Sequence, residues 1–210
     1  MSQFKTIVFD LDGTLYPRNS AVMAELDRRM GLYMERVTGL PADEAHTLRK
    51  QYWRTYGTTL NGLQKFYDVD TEDYLAYTHD FDARELLRPN PALNAMLDRL
   101  PQRKLIFTNG THEHADNILR ALALDDVFDV ILGLRDFDFR PKPEQQPYQI
   151  LLDHLNHPPQ ASIFIEDSLQ NLPPAKKMGI TTVWLSTDAV SSNGKCDHMI
   201  QDILEVEQLL

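Results

Sequence analysis

The stretch Thr6-Ile7-Val8-Phe9-Asp10-Leu11-Asp12-Gly13-Thr14 decides the fold of this chain. Thr6 to Phe9 is β-branched or aromatic throughout, the pattern of a parallel strand buried on both faces. The run then breaks on two acids at i and i+2. Such a pair projects to one side of an extended chain unless the backbone turns, and Gly13 permits a turn. Carboxylates beside a hydrophobic core are costly unless a cation or a catalytic task compensates. An acidic Asp-Gly turn is the plain alternative. A calcium loop fails, because its fifth and twelfth positions would be Thr14 and Ala21.

Four further apolar runs lie downstream: Leu105-Ile106-Phe107, Val130-Ile131-Leu132, Ile163-Phe164-Ile165 and Thr182-Val183-Trp184-Leu185. Helical patterns separate them, so the expected architecture is α/β, a doubly wound, mostly parallel sheet. Ligands in such sheets sit beyond the carboxyl ends of the strands, which makes the residue after each run the place to look.

The gap between the first two runs is far longer than an ordinary crossover. Val22, Leu26, Met30, Tyr33 and Val37 form an apolar stripe at helix spacing. A second helix is expected from Pro41 to about Gly57, a third after Asp70, and Asn90-Pro91 opens a helix that leads back to the core. The expected organisation is a core of residues 1–16 and 90–210 with an inserted helical cap over 17–89, placed above the strand ends.

Three more clusters follow predicted strands. In Phe107-Thr108-Asn109-Gly110, a hydroxyl and backbone N–H groups lead into a helix start, an anion cradle. Read alone, Thr108 to Thr111 is more often a helix cap than a phosphate site, and its place at a strand end favours the cradle. Lys142 stands between Pro141 and Pro143, which stiffen the loop that aims its ammonium; Arg140 competes for the same task. Glu166 and Asp167 end the fourth run, where a helix cap near Ser168 is the bland reading. His112 and His114 fall in the first turn after the cradle and read as solvated.

These motifs, in this order, resemble the four signatures of the haloacid dehalogenase superfamily, with its Rossmann-type core. The resemblance implies an Asp10 nucleophile, Asp12 as acid and base, and catalytic or phosphate-binding roles for Thr108, Asn109 and Lys142. It implies Mg²⁺ as cofactor, held by Asp10, Asp12 and Asp167, with Glu166 nearby. Dehalogenases of the superfamily attack carbon and lack the second acid, so Asp12 implies phosphate chemistry.

Asp10 to Pro17, Arg54 to Leu63 and Phe139 to Pro143 further resemble the pyrimidine 5′-nucleotidase branch. The implied activity is hydrolysis of nucleoside 5′-monophosphates, pyrimidines preferred. A sugar-phosphate or phosphoglycolate phosphatase or mutase is the enzyme alternative, and a non-catalytic binding module the third. Tyr56, Thr58, Thr59, Asn61 and His79 are the candidate substrate contacts, and Tyr16 and Tyr52 could also face a cleft; aromatic residues on helices are more often packing groups.

The 210 residues carry a formal net charge of −10, which disfavours nucleic acid and anionic lipid as partners and leaves a small phosphate ester possible. A hydrophobic fraction of 42% supports a full core. No apolar run is long enough to span a bilayer, no signal peptide is expected, and Cys196 is the single cysteine; a reduced cytoplasmic setting is the expectation. The oligomeric state, monomer or homodimer, is not legible.

Overall fold

A computed structural model describes residues 3–187 and 191–210. The chain divides into two compact units, Met1–Arg18 with Leu87–Leu210, and Asn19–Leu86.

The first unit holds one parallel sheet. Among the described residues its strands are β1 (Thr6–Phe9), β2 (Arg103–Phe107), β3 (Val130–Leu132), β4 (Ser162–Glu166), β5 (Thr181–Leu185) and β6 (His198–Ile200), in the spatial order β3-β2-β1-β4-β5-β6. The expected α/β class is therefore borne out. β1 lies between β2 and β4, and Ile7, Val8 and Phe9 are wholly buried. Phe9 pairs with Ile106 on one side and Ile165 on the other, so all three strands end at the same level. Winding runs from β1 outward through β2 and β3, then returns through β4 to the far edge. The switch of direction puts a crevice beyond the carboxyl ends of β1 and β4.

β6 carries no signal in the sequence. It is three residues long, and tertiary bonds set its register: the Asp197 carboxylate accepts from Thr182 N at 2.9 Å and Thr182 Oγ1 at 2.8 Å. Trp184 then pairs with Met199.

The second unit is helical. α1 (Ala21–Thr38) begins where Ser20 Oγ accepts from Met23 N at 3.2 Å and ends at Gly39, whose φ of 70° is left-handed. Its buried stripe is Val22, Leu26, Tyr33 and Met34; Met30 and Val37 of the expected stripe are only half-buried. α2 (Ala42–Tyr56) follows Pro41 and stops at Gly57. α3 (Thr59–Phe66) starts at once, capped by Thr58. α4 (Thr71–His79) is capped by Asp70, and α5 (Ala83–Leu86) is a single turn. The Tyr52 ring of α2 packs directly over Gly62 of α3, a position with no room for a Cβ.

In the first unit, α6 (Pro91–Arg99), α7 (His112–Ala121), α8 (Gln145–Asp153) and α9 (Leu172–Lys177) supply the crossovers. Asn90 caps α6 as expected, its Oδ1 accepting from Ala92 N and Leu93 N. Among the described residues, no helix is long and apolar enough to cross a membrane.

Candidate active site

Asp10 follows β1, and its N–H donates to Ile165 O at 2.9 Å, which extends the ladder with β4 by one rung. The chain then turns sharply. Thr14 N and Leu15 N both donate to Leu11 O, and Gly13 adopts a φ of 88°. A Cβ at Gly13 would collide with the Asp167 carboxylate, so glycine here lets the β1 turn approach the end of β4. The turn also brings Thr14 Oγ1 within 3.0 Å of Asp10 Oδ2, to which it donates.

Lys142 is the best-buried cation of the site, 1% exposed. Its Nζ donates to Asp10 Oδ1 at 2.8 Å, Glu166 Oε2 at 2.8 Å and Phe107 O at 2.6 Å, so all three ammonium protons have acceptors. Phe107 and Phe164 flank it with ring centroids 4.9 and 5.4 Å from Nζ. The loop is stapled to the β2 end by the Asn109 side chain, which accepts from Lys142 N at 2.7 Å and donates to Lys142 O at 3.1 Å. Arg140 is exposed and takes no part in this cluster.

Glu166 and Asp167 are both buried. Glu166 accepts from Lys142 through Oε2 and from Ser168 N through Oε1 at 3.0 Å. The Asp167 carboxylate meets the Arg18 guanidinium, and its carbonyl accepts from Trp184 Nε1 at 3.0 Å. Thr108, buried at the end of β2, accepts from Gly110 N through Oγ1 at 2.9 Å.

The electrostatics follow from burial. Asp10 is pushed up to about 7 by desolvation and then by Glu166, against the pull of Lys142. Burial raises Glu166 as well, and burial with Asp10 raises Asp167. Three carboxylates thus converge while, among the described residues, one fully buried cation answers them. Oxygens of Asp10, Glu166 and Asp167 lie within 4.8 Å of one another. This all-oxygen, charge-crowded set fits a hard divalent cation. Both oxygens of Glu166 and both of Asp10 already accept hydrogen bonds, and Asp167 is engaged by Arg18, so a cation would share these oxygens with the donors present.

One residue of this cluster escaped the sequence reading, and Tyr16, named there as a residue that could face a cleft, joins it. His114 is buried, not solvated: its Nε2 lies 2.7 Å from Asp12 Oδ1, and its side chain is 0% exposed. Thr111 caps α7 by accepting from His114 N at 3.1 Å, so the third residue of the helix is aimed back at the strand ends. The spacing Thr111-x-x-His114 was the available signal. Tyr16 is buried and donates to Asp12 Oδ1. Burial and the neighbouring Asp12 hold its phenol above the ordinary value. His112 is half-buried, with Nε2 3.0 Å from Ile131 O.

The remaining candidates lie in the helical unit. Thr58 Oγ1 accepts from Asn61 N at 3.0 Å and the Asn61 amide donates to Tyr56 O at 3.1 Å, so Tyr56, Thr58 and Asn61 form one turn. Thr59 is buried. Tyr56 packs against Tyr52 and Phe66 at 5.9 Å between ring centroids. His79, at the end of α4, has Nδ1 2.9 Å from Leu75 O.

The chain is similar to several known proteins. Phosphate metabolism protein 8 of Saccharomyces cerevisiae is 26% identical over 235 residues, covering 98% of this chain and 72% of the relative. Validoxylamine A 7′-phosphate phosphatase of Streptomyces hygroscopicus subsp. limoneus is 28% identical, covering 97% and 96%. The crystal structure of a HAD phosphatase from Thermococcus onnurineus superposes with a TM-score of 0.71 at 22% identity, covering 98% and 97%. The model of one family, haloacid dehalogenase-like hydrolase, matches residues 4–179, and these cover the sheet from β1 to β4 and every residue of the carboxylate–lysine cluster. The chain belongs to the haloacid dehalogenase-like hydrolases.

Proposed function

We propose that this protein is a Mg²⁺-dependent phosphomonoesterase that works through an aspartyl-phosphate on Asp10. The observation that carries the reading is the convergence of Asp10, Lys142, Glu166 and Asp167 at the strand ends, with Asp12 two residues further on and held by its own donors.

In the first step an Asp10 oxygen attacks phosphorus, the bond to the leaving oxygen breaks, and Asp12 delivers its proton to that oxygen. In the second, water attacks the same phosphorus, Asp12 takes up its proton, and the Asp10–phosphorus bond breaks to release phosphate. Lys142 holds Asp10 in place and offsets charge on the transferring group, while Thr108 and the Asn109 amide supply donors to its oxygens. Mg²⁺, when bound by the carboxylates of Asp10 and Asp167 and the carbonyl of Asp12, offsets the repulsion between a phosphate dianion and the carboxylates. Attack at carbon, as in dehalogenation, has no use for a proton donor at Asp12.

The proposed substrates are nucleoside 5′-monophosphates, pyrimidines first. The resemblance of the Arg54 to Leu63 segment supports this, as does the aromatic group of Tyr52, Tyr56 and Phe66 beside it. Tyr56, Thr58, Thr59, Asn61 and His79 are the proposed source of substrate choice. A phosphorylated sugar-like substrate is the second reading, favoured by the name of the Streptomyces relative.

Phosphate release with Mg²⁺ across UMP, CMP, dUMP, AMP, glucose phosphates and phosphoglycolate tests both levels. The pyrimidine nucleotides are expected to lead. A clear preference for a sugar phosphate would overturn the substrate, and wild-type turnover by Asp10→Asn would overturn the chemistry.

A further inference from the structure

We propose that His114 is a positioning residue that, together with Tyr16, pins Oδ1 of Asp12 and so makes Oδ2 the oxygen that carries the catalytic proton. The proposal rests on the phosphatase reading above and assigns a task within it.

Two donors converge on one oxygen. His114 Nε2 lies 2.7 Å from Asp12 Oδ1, and the Tyr16 hydroxyl donates to the same atom. Both rings are buried, His114 at 1% and Tyr16 at 4% exposure, so neither swings away at little cost. The Asp12 side chain is itself 24% exposed, so part of the carboxyl group reaches solvent while Oδ1 faces the two rings.

The tautomer follows from the acceptor. An ionised Asp12 accepts at both oxygens, and an Asp12 protonated at Oδ2 still accepts at Oδ1. A hydrogen on His114 Nε2 therefore satisfies both states of the acid, and the bond persists through the catalytic cycle. Protonation at Oδ1 instead would oppose a third hydrogen to two donors already there. The proton is thus confined to Oδ2.

The backbone is shaped for this. Thr111 caps the helix through His114 N, which fixes the ring's starting point. A Cβ at Gly110 would stand 3.0 Å from His114 Cδ2 and 3.3 Å from Thr108 Oγ1, so the glycine leaves room for the ring at the end of β2.

A pinned acid matters most where the leaving group needs its proton. The test compares phenyl phosphate, which departs poorly, with 2,4-dinitrophenyl phosphate, which departs unaided. The parameter is kcat/KM with Mg²⁺, because it reports the step in which the phosphorus–oxygen bond breaks. His114→Leu should lose about 30- to 100-fold on phenyl phosphate, the scale of a small misplacement of a reacting group. Its loss on the dinitrophenyl ester should stay below about threefold, because that ester does not draw on general acid catalysis. His114→Gln keeps an N–H at a similar reach and should recover most of the phenyl phosphate rate. Equal losses on both esters in either variant, or an unchanged phenyl phosphate rate in His114→Leu, would overturn the assignment. A wild-type protein that releases phosphate from neither these esters nor the nucleotide and sugar-phosphate panel would remove the phosphatase reading itself.

Discussion

Replacing Lys142 with methionine isolates the electrostatics of the site, because the stem is nearly conserved and only the charge and its donors are lost. In the native protein the ammonium serves Asp10 Oδ1 and Glu166 Oε2, each at 2.8 Å. The two side chains are 8% and 1% exposed. Packing between Phe107 and Phe164 should survive, since a thioether sits well against aromatic rings. What remains is a pair of buried carboxylates with no cation between them, and breaking a buried pair in this way costs about 3–5 kcal/mol. The effect should appear in urea unfolding followed by circular dichroism, with EDTA present so that no divalent ion compensates. At pH 8 the native protein lies above the value of about 7 to which Asp10 is pushed; without the pull of Lys142 that value rises, so part of the cost in the variant is taken as proton uptake by Asp10. Adding Glu166→Gln to the variant removes one of the opposed charges and should restore about 1–2 kcal/mol, within the range of coupling seen between contacting residues. A loss under about 1 kcal/mol, or a Glu166→Gln change that destabilises the variant as it does the native protein, would refute the reasoning.

Two further predictions concern the helical unit. Gly62→Ala gains about 1 kcal/mol of helix propensity but forces a methyl into the Tyr52 ring, and overpacking of that kind costs about 1–3 kcal/mol. A lowered thermal midpoint is expected, and a raised one would show that the α2–α3 contact yields freely. Glu25 is lowered to about 2, first by its hydrogen bond from Arg28 and then by Arg29. Its depressed value means stability that is present above the ordinary carboxylate range and lost as pH falls from about 4.5 toward about 2. Glu25→Gln should therefore cost about 0.5–1 kcal/mol at pH 7, the range of a partly exposed pair, and match the native protein in acid. A gap in thermal midpoint that persisted at pH 2 would contradict this.

The location of Glu166 shows where reading residues one at a time reached its end. As an acid beside Asp167 it looks like a metal-site residue, held at a distance by water. In the fold it is first of all a partner of Lys142, and its second oxygen is taken by Ser168 N. The ammonium is therefore shared between two carboxylates. Deep burial, and then the charge of Glu166, are why Asp10 stands near 7 and not below its ordinary value.

Arg18 belongs to the same lesson. It follows the first motif by a few residues and looks like a solvated surface group, yet its guanidinium meets the Asp167 carboxylate across 149 positions of sequence.

What the sequence by itself determined is the sheet and most of the places where it ends. Five strands carry continuous apolar runs, because the middle of a parallel strand is buried on both faces, and charged residues such as Arg103, Lys104 and Glu166 fall at the strand ends. The helix starts at Asp70 and Asn90 are likewise local, since a cap joins residues two or three apart. Only the tertiary structure decided β6, the burial of His114, the double engagement of Lys142 and the meeting of Arg18 with Asp167. Each of these depends on groups brought together from distant parts of the chain, and neither periodicity nor propensity encodes a distance in space. The site exists because strands in register end at one level, and which side chains then touch is settled by packing rather than by spacing.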